Sequence, residues 1–190
     1  MILRGFMAII RGGNAEYENP ELSFEEKKVR LKKVILEKLE SSSGELNLTG
    51  QYLGFDEAVI LSQCELTKPV RSLDLSDNQI NNEGFQALAE SPVLNHLETL
   101  NLGINSLTDS GFAEWAGWDA LKLPRLKNLL LNDNRLTDTS IATLIRAPAF
   151  ANLEFLNIDY NPVGNGFAEA LAEAKGFKNL ITLSIERGYL

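Results

Sequence analysis

Leucine returns along this chain at a fixed beat. Residues 70–80 read VRSLDLSDNQI, where Leu73 and Leu75 are separated by one polar residue. That alternation is the period of a strand with one buried face. The pattern recurs at residues 97–107 (LETLNLGINSL), 126–136 (LKNLLLNDNRL) and 153–163 (LEFLNIDYNPV). A degenerate copy precedes them at 43–53 (SGELNLTGQYL), and a last one stands at 180–190 (LITLSIERGYL). The starts at 43, 70, 97, 126, 153 and 180 are spaced by 27, 27, 29, 27 and 27 residues. Strands this short must pair with their neighbours to satisfy their backbones, so the copies are expected to stack as a parallel sheet.

The second half of each copy has a different period. Ala58, Leu61 and Ser62 recur as Phe85, Leu88 and Ala89, as Phe112, Trp115 and Ala116, as Ile141, Leu144 and Ile145, and as Ala168, Leu171 and Ala172. These offsets fall on one face of a helix. Asn82-Glu83-Gly84, Thr108 to Gly111 and Thr137 to Ser140 stand where such helices would start, and residues of this kind cap helix N-termini. Pro92 and Pro148 follow two of the predicted helices and would stop them. Upstream, Ser23 and Glu26 have capping-box spacing. They open a predicted helix over residues 24–40 with Leu31, Val34, Ile35 and Leu39 on one face, placed to cover the first repeat.

The pattern L-x-x-L-x-L-x-x-N-x-L resembles that of leucine-rich repeats. A strand and a full helix within each 27–29-residue unit resemble the ribonuclease-inhibitor type in particular. Residues 87–92 (ALAESP) resemble repeats common in bacterial proteins of this kind. The resemblance implies an α/β solenoid with a curved parallel sheet on its concave face and helices on its convex face. The expected organisation is a flexible tail over residues 1–20, a capping helix over 21–42 and about six repeats over 43–190. The resemblance further implies that Asn78, Asn105, Asn134 and Asn161 bond to backbone groups where each strand turns toward its helix. The first repeat has Gln51 at that place and the last has Gly188. The apolar edge of the last repeat is expected to invite pairing with a second copy of the chain.

Charge narrows the expected partner. The net charge is -8, with 26 acidic and 18 basic residues, and an acidic chain repels phosphate backbones. Nucleic acid is therefore not expected, and a basic protein or peptide is. The lone Cys64 excludes an internal disulfide and suits a reducing, cytoplasmic compartment. The apolar run within residues 1–11 is too short to span a bilayer.

Candidate chemistry is sparse. His96 has no second histidine or cysteine near it in sequence, so it is not a metal site. No glycine-rich phosphate loop or nucleophile–base set is evident, and neither catalysis nor a cofactor is expected. The acidic set Asp77, Asp133 and Asp159 is interrupted by Ile104 and is a poor cation site. Trp115 is expected in the core, and Trp118 under the loop of the longer repeat.

What remains is a binding surface. In the family the residues between the leucines point onto the concave face, where acidic residues outnumber basic ones by eight to three. Leu130, Phe155 and Tyr160 are apolar or aromatic at positions expected to be solvated, and Leu130 stands where other copies have Asp74, Asn101 and Asn157. With Ile104 and Ile181, they are expected to form an apolar centre rimmed by Asp77, Asp133, Asp159 and Glu186. The predicted function is protein binding on this face. Occlusion of a basic enzyme, or action of a bacterial effector on host proteins, are the alternatives.

Overall fold

The structure is a computed structural model that describes residues 22–40, 44–113, 123–147, 150–167, 171 and 178–186. The predicted tail, Trp115, Trp118, Pro148, Arg187 and Gly188 lie outside the described residues. Helix α1 spans Phe24–Leu39. Strands follow at Glu45–Asn47 (β1), Ser72–Asp74 (β2), Thr99–Asn101 (β3), Asn128–Leu130 (β4), Phe155–Asn157 (β5) and Thr182–Ser184 (β6). Between them lie helices at Phe55–Gln63 (α2), Asn82–Ala89 (α3), Asp109–Ala113 (α4) and Asp138–Arg146 (α5). The strands form one parallel sheet in chain order. Equivalent leucines pair in register: Leu46 with Leu73, then Leu100, Leu129, Leu156 and Leu183.

Each strand sends its central leucine inward and its first and third residues outward. The inward leucines share one core with Phe85, Leu88, Phe112, Ile141 and Leu144 from the helices. The rings of Phe85 and Phe112 lie 5.9 Å apart, centre to centre. Strands sit about 4.8 Å apart, whereas packed helices need about 8–10 Å. A stack with strands on one side and helices on the other therefore bends with the sheet inside.

At one end, Ser23 and Glu26 form the expected capping box. Leu31 and Ile35 are buried against the first repeat, with Val34 and Leu39 packed at the margin. Lys27 adds an ion pair to Asp56 at the start of α2, with nitrogen and oxygen 2.7 Å apart.

Two polar ladders stitch the repeats together. The first is the asparagine row. The Oδ1 of Asn134 accepts the Leu107 N–H of the preceding repeat, and its Nδ2 donates to the carbonyls of Leu102, Leu131 and Asn132. Asn78, Asn105 and Asn161 repeat this arrangement. The second ladder runs between helix starts. The Oδ1 of Asn82 accepts the Thr108 N–H, Asp109 accepts the Thr137 N–H, and Asp138 accepts those of Gly164 and Gly166. Gly111 leaves room for this contact, because a Cβ there would stand 2.5 Å from the Asn82 side chain.

Candidate functional site

The open face of the sheet carries the first and third residue of every strand. The third position is Asn47, Asp74, Asn101, Leu130, Asn157 and Ser184. At four of these positions the side chain turns down to close its own strand end. Asn47, Asp74, Asn101 and Asn157 accept the amides of Thr49, Ser76, Gly103 and Asp159 respectively, at 2.8–3.0 Å. Leu130 has no acceptor to do this, and its isobutyl group stands half-buried between Asn101 and Asn157. Phe155 is the aromatic at the first position and sits between Asn128 and Thr182. Leu130 and Phe155 are diagonal neighbours on adjacent strands, about 7–8 Å apart and within reach of each other's side chains.

Beyond each strand the chain enters a turn, and the structure rearranges the expected rim there. Asp77, Ile104, Asp133 and Tyr160 occupy the same turn position, each with a left-handed backbone, at φ 53–55°. They are not strand residues. Each donates its N–H to the following repeat: to Gly103, Asn132, Asp159 and Glu186, at 2.7–3.0 Å. These bonds hold a conformation that an isoleucine would otherwise avoid. Gly50 takes the same place in the first repeat, with φ 64°.

The expected acidic row of Asp77, Asp133 and Asp159 is therefore out of register. Asp159 lies one position earlier, and Tyr160 is the residue aligned with Asp77 and Asp133. The Asp159 carboxylate faces the last strand, accepting the Ser184 hydroxyl and the Glu186 amide. Glu186 in turn accepts the Tyr160 hydroxyl, and this hydrogen bond raises the phenol pKa. Asp74 is engaged with Ser76. Ile181 stands at the opposite end of its strand from Tyr160, so the five apolar residues do not form one centre.

The acidic excess is also distributed differently from the count by face. At the strand entry, Arg71 pairs with Glu98 and Lys127 with Glu154, both at 3.0 Å. Aligned by repeat, Arg71, Glu98, Lys127 and Glu154 alternate in sign along this edge. With this edge internally paired, the unbalanced carboxylates lie at the strand exits: Asp74, Asp77, Asp133, Asp159 and Glu186. Among the described residues no group of histidine, cysteine or carboxylate side chains could hold a metal ion. Cys64 is buried. No helix among the described residues is long and apolar enough to cross a membrane.

A leucine-rich-repeat family model matches residues 68–89 and 93–112, two consecutive repeats that include β2, α3, β3 and most of α4. The fold is a leucine-rich-repeat solenoid. The human leucine-rich repeat-containing protein 14 is 32% identical over 120 residues, which make up 62% of this chain and 24% of that protein. The chain thus spans about a quarter of that relative's length. Among solved structures, an internalin C2 from Listeria monocytogenes is 19% identical, with a TM-score of 0.45. That comparison covers 74% of this chain and 59% of the internalin chain. Actin-binding site 2 of leiomodin-1 is 15% identical, with a TM-score of 0.47, covering 85% and 88% of the two chains. Leucine-rich repeats are generally non-enzymatic modules for binding other proteins.

Proposed function

We propose that this solenoid binds a protein partner on the open, inner face of its sheet. The observation that carries the reading is the pair Leu130 and Phe155. Every other residue at the first and third strand positions is polar. Two apolar side chains on one diagonal give a partner an anchor that excludes water, and interfaces concentrate their energy in such anchors. Carboxylates at the strand exits favour a basic partner and steer its approach. Occlusion of a basic enzyme is one form this binding takes. The 27–29-residue repeats, with eight or nine residues in α2, α3 and α5, support assignment to the ribonuclease-inhibitor type.

The test is affinity capture with the wild type and with Leu130→Asn combined with Phe155→Thr. Both substitutions install side chains of the kind found at equivalent positions in neighbouring repeats, so folding is retained. Loss of a captured partner supports the site. Undiminished retention of every partner rules it out.

A further inference from the structure

The ridge formed by Asp77, Ile104, Asp133 and Tyr160 alternates acid and apolar residues, and all four side chains are exposed. Ile104 is 50% exposed and Tyr160 is 44% exposed. We propose that this ridge docks an amphipathic helix of the partner, one whose contact stripe alternates basic and apolar residues. The proposal rests on the protein-binding reading above and specifies the partner's chemistry.

The spacing selects the helix. Adjacent strands are about 4.8 Å apart, so the four ridge residues span about 14 Å. A helical stripe at i, i+4, i+7 and i+11 advances about 16 Å over its three steps at 1.5 Å per residue. Same-face residues of an extended strand are about 6.8 Å apart and cover about 20 Å in three steps. The helix keeps register to about 2 Å, while the strand drifts by about one whole repeat. A polyproline helix returns to the same face about every 9.3 Å, which suits the two aspartates and leaves Ile104 unmatched.

Chemistry selects the stripe. Cations opposite Asp77 and Asp133 pair with exposed carboxylates, and apolar residues between them meet Ile104 and Tyr160. Glu186, bonded to the Tyr160 hydroxyl, adds a further carboxylate at that end. Ile104 is held out to solvent at φ 54°, a backbone that favours glycine, asparagine or aspartate over a β-branched residue. The inter-repeat hydrogen bonds fix all four backbones, so the row is preorganised and little order is lost on docking.

Two labelled peptides of equal length and composition test this. One is stapled as a helix with Lys at i and i+7 and Leu at i+4 and i+11. The other is linear, with Lys and Leu alternating at every second residue. Fluorescence anisotropy against the full chain is expected to show the helical peptide binding at least about tenfold tighter. Asp77→Asn with Asp133→Asn is expected to weaken it about tenfold, with the difference shrinking at high salt. Ile104→Asn is expected to weaken binding while raising the midpoint of thermal unfolding, which separates a lost contact from a lost fold. Equal affinity of the two peptides, absence of binding by both, or indifference to all ridge substitutions overturns the proposal. Helical-peptide binding that survives the ridge substitutions but is lost in Leu130→Asn with Phe155→Thr also overturns the ridge, while retaining the sheet face as a protein-binding surface.

Discussion

Asp109 caps a helix that is not its own. It sits at the start of α4, and its carboxylate accepts the backbone N–H of Thr137 at 2.9 Å, at the start of α5 one repeat later. The hydroxyls of Thr137 and Ser140 donate to the same carboxylate. Partial burial pulls the Asp109 pKa up, but the hydrogen bonds from Ser140 and Thr137 outweigh it and hold the pKa below the ordinary aspartate value. The sign of the linkage follows. A group with a depressed folded pKa contributes stability that is full above its unfolded pKa, about 3.9, and is lost as pH falls through the folded value. Asp109→Asn is expected to lower the thermal midpoint at neutral pH and to flatten its fall on acidification. Parallel wild-type and variant curves below pH 5 would refute the assignment.

The asparagine row predicts a sharper asymmetry. Asn134→Ala leaves the buried Leu107 N–H without its acceptor and takes one donor from each of three carbonyls, which keep their bonds from Asn105, Asn161 and the Ile104 N–H. An unpaired buried group costs about 1–3 kcal/mol, so the variant is expected to lose about that much in urea denaturation. Gln51 fills the same position in the first repeat, and its Nε2 meets the Thr49 carbonyl at 3.4 Å. Gln51→Ala is expected to cost less than about 1 kcal/mol. Similar losses in the two variants would show that the row is not what holds the turns.

The solenoid was legible because burial is redundant. Leu73 and Leu75 are fully buried, and so are their counterparts Leu100 and Leu102, Leu129 and Leu131, and Leu156 and Ile158. One period-two signal copied at a fixed spacing leaves no competing register. Ser23, Glu26, Leu31 and Ile35 made the capping helix equally readable, since its signals are local. The site was less legible because it depends on alignment between repeats. Treating Asp159 as equivalent to Asp77 misplaced it by one residue. Nothing local in Gly-Ile-Asn announces a left-handed isoleucine at Ile104, since propensity argues against it and the bonds that hold it, from its N–H to Asn132 and from the Asn78 N–H to its carbonyl, join neighbouring repeats. The links from Asn82, Asp109 and Asp138 to the next helix were hidden likewise, because their partners lie a repeat away.

The aromatic pair in the core sets an upper range for packing losses. Phe112 is fully buried and its ring meets that of Phe85 at an interplanar angle of 53°. Phe112→Ala leaves a cavity beside Phe85 and is expected to cost about 3–5 kcal/mol. Phe112→Leu keeps most of the volume and is expected to cost less than half as much. Chemical denaturation of both variants checks the ordering. Near-equal losses would place the cost in the aromatic contact and not in the cavity.

Tyr160 offers a direct view of the turn ridge in solution. Its hydroxyl donates to Glu186, and the nearby Asp159 and Asp133 charges add to the same upward shift of its pKa. Glu186→Gln removes the strongest of these influences, so the Tyr160 phenol is expected to ionise at lower pH in the variant. Ultraviolet difference titration of the variant against the wild type reads this, with Tyr160→Phe identifying the transition that belongs to Tyr160. An unchanged transition would mean that Glu186 does not face Tyr160 in solution.

Ile104 supplies a prediction whose sign runs against the usual one. Most substitutions destabilise, but Ile104 holds a left-handed conformation that costs an L-residue about 1–2 kcal/mol. Half of the side chain is exposed, so replacing it sacrifices little burial. Asparagine tolerates this backbone and is expected at Ile104 to raise stability by up to about 1 kcal/mol. Ile104→Val keeps the β-branch and the strain, so it is expected to bring no gain. Thermal unfolding of the two variants side by side decides the point. A gain with asparagine alone shows that the wild-type chain keeps a strained, exposed isoleucine at a position where a relaxed polar residue would fold better. Such a cost is explained by a contact the isoleucine makes outside the fold, which ties the stability measurement to the docking ridge.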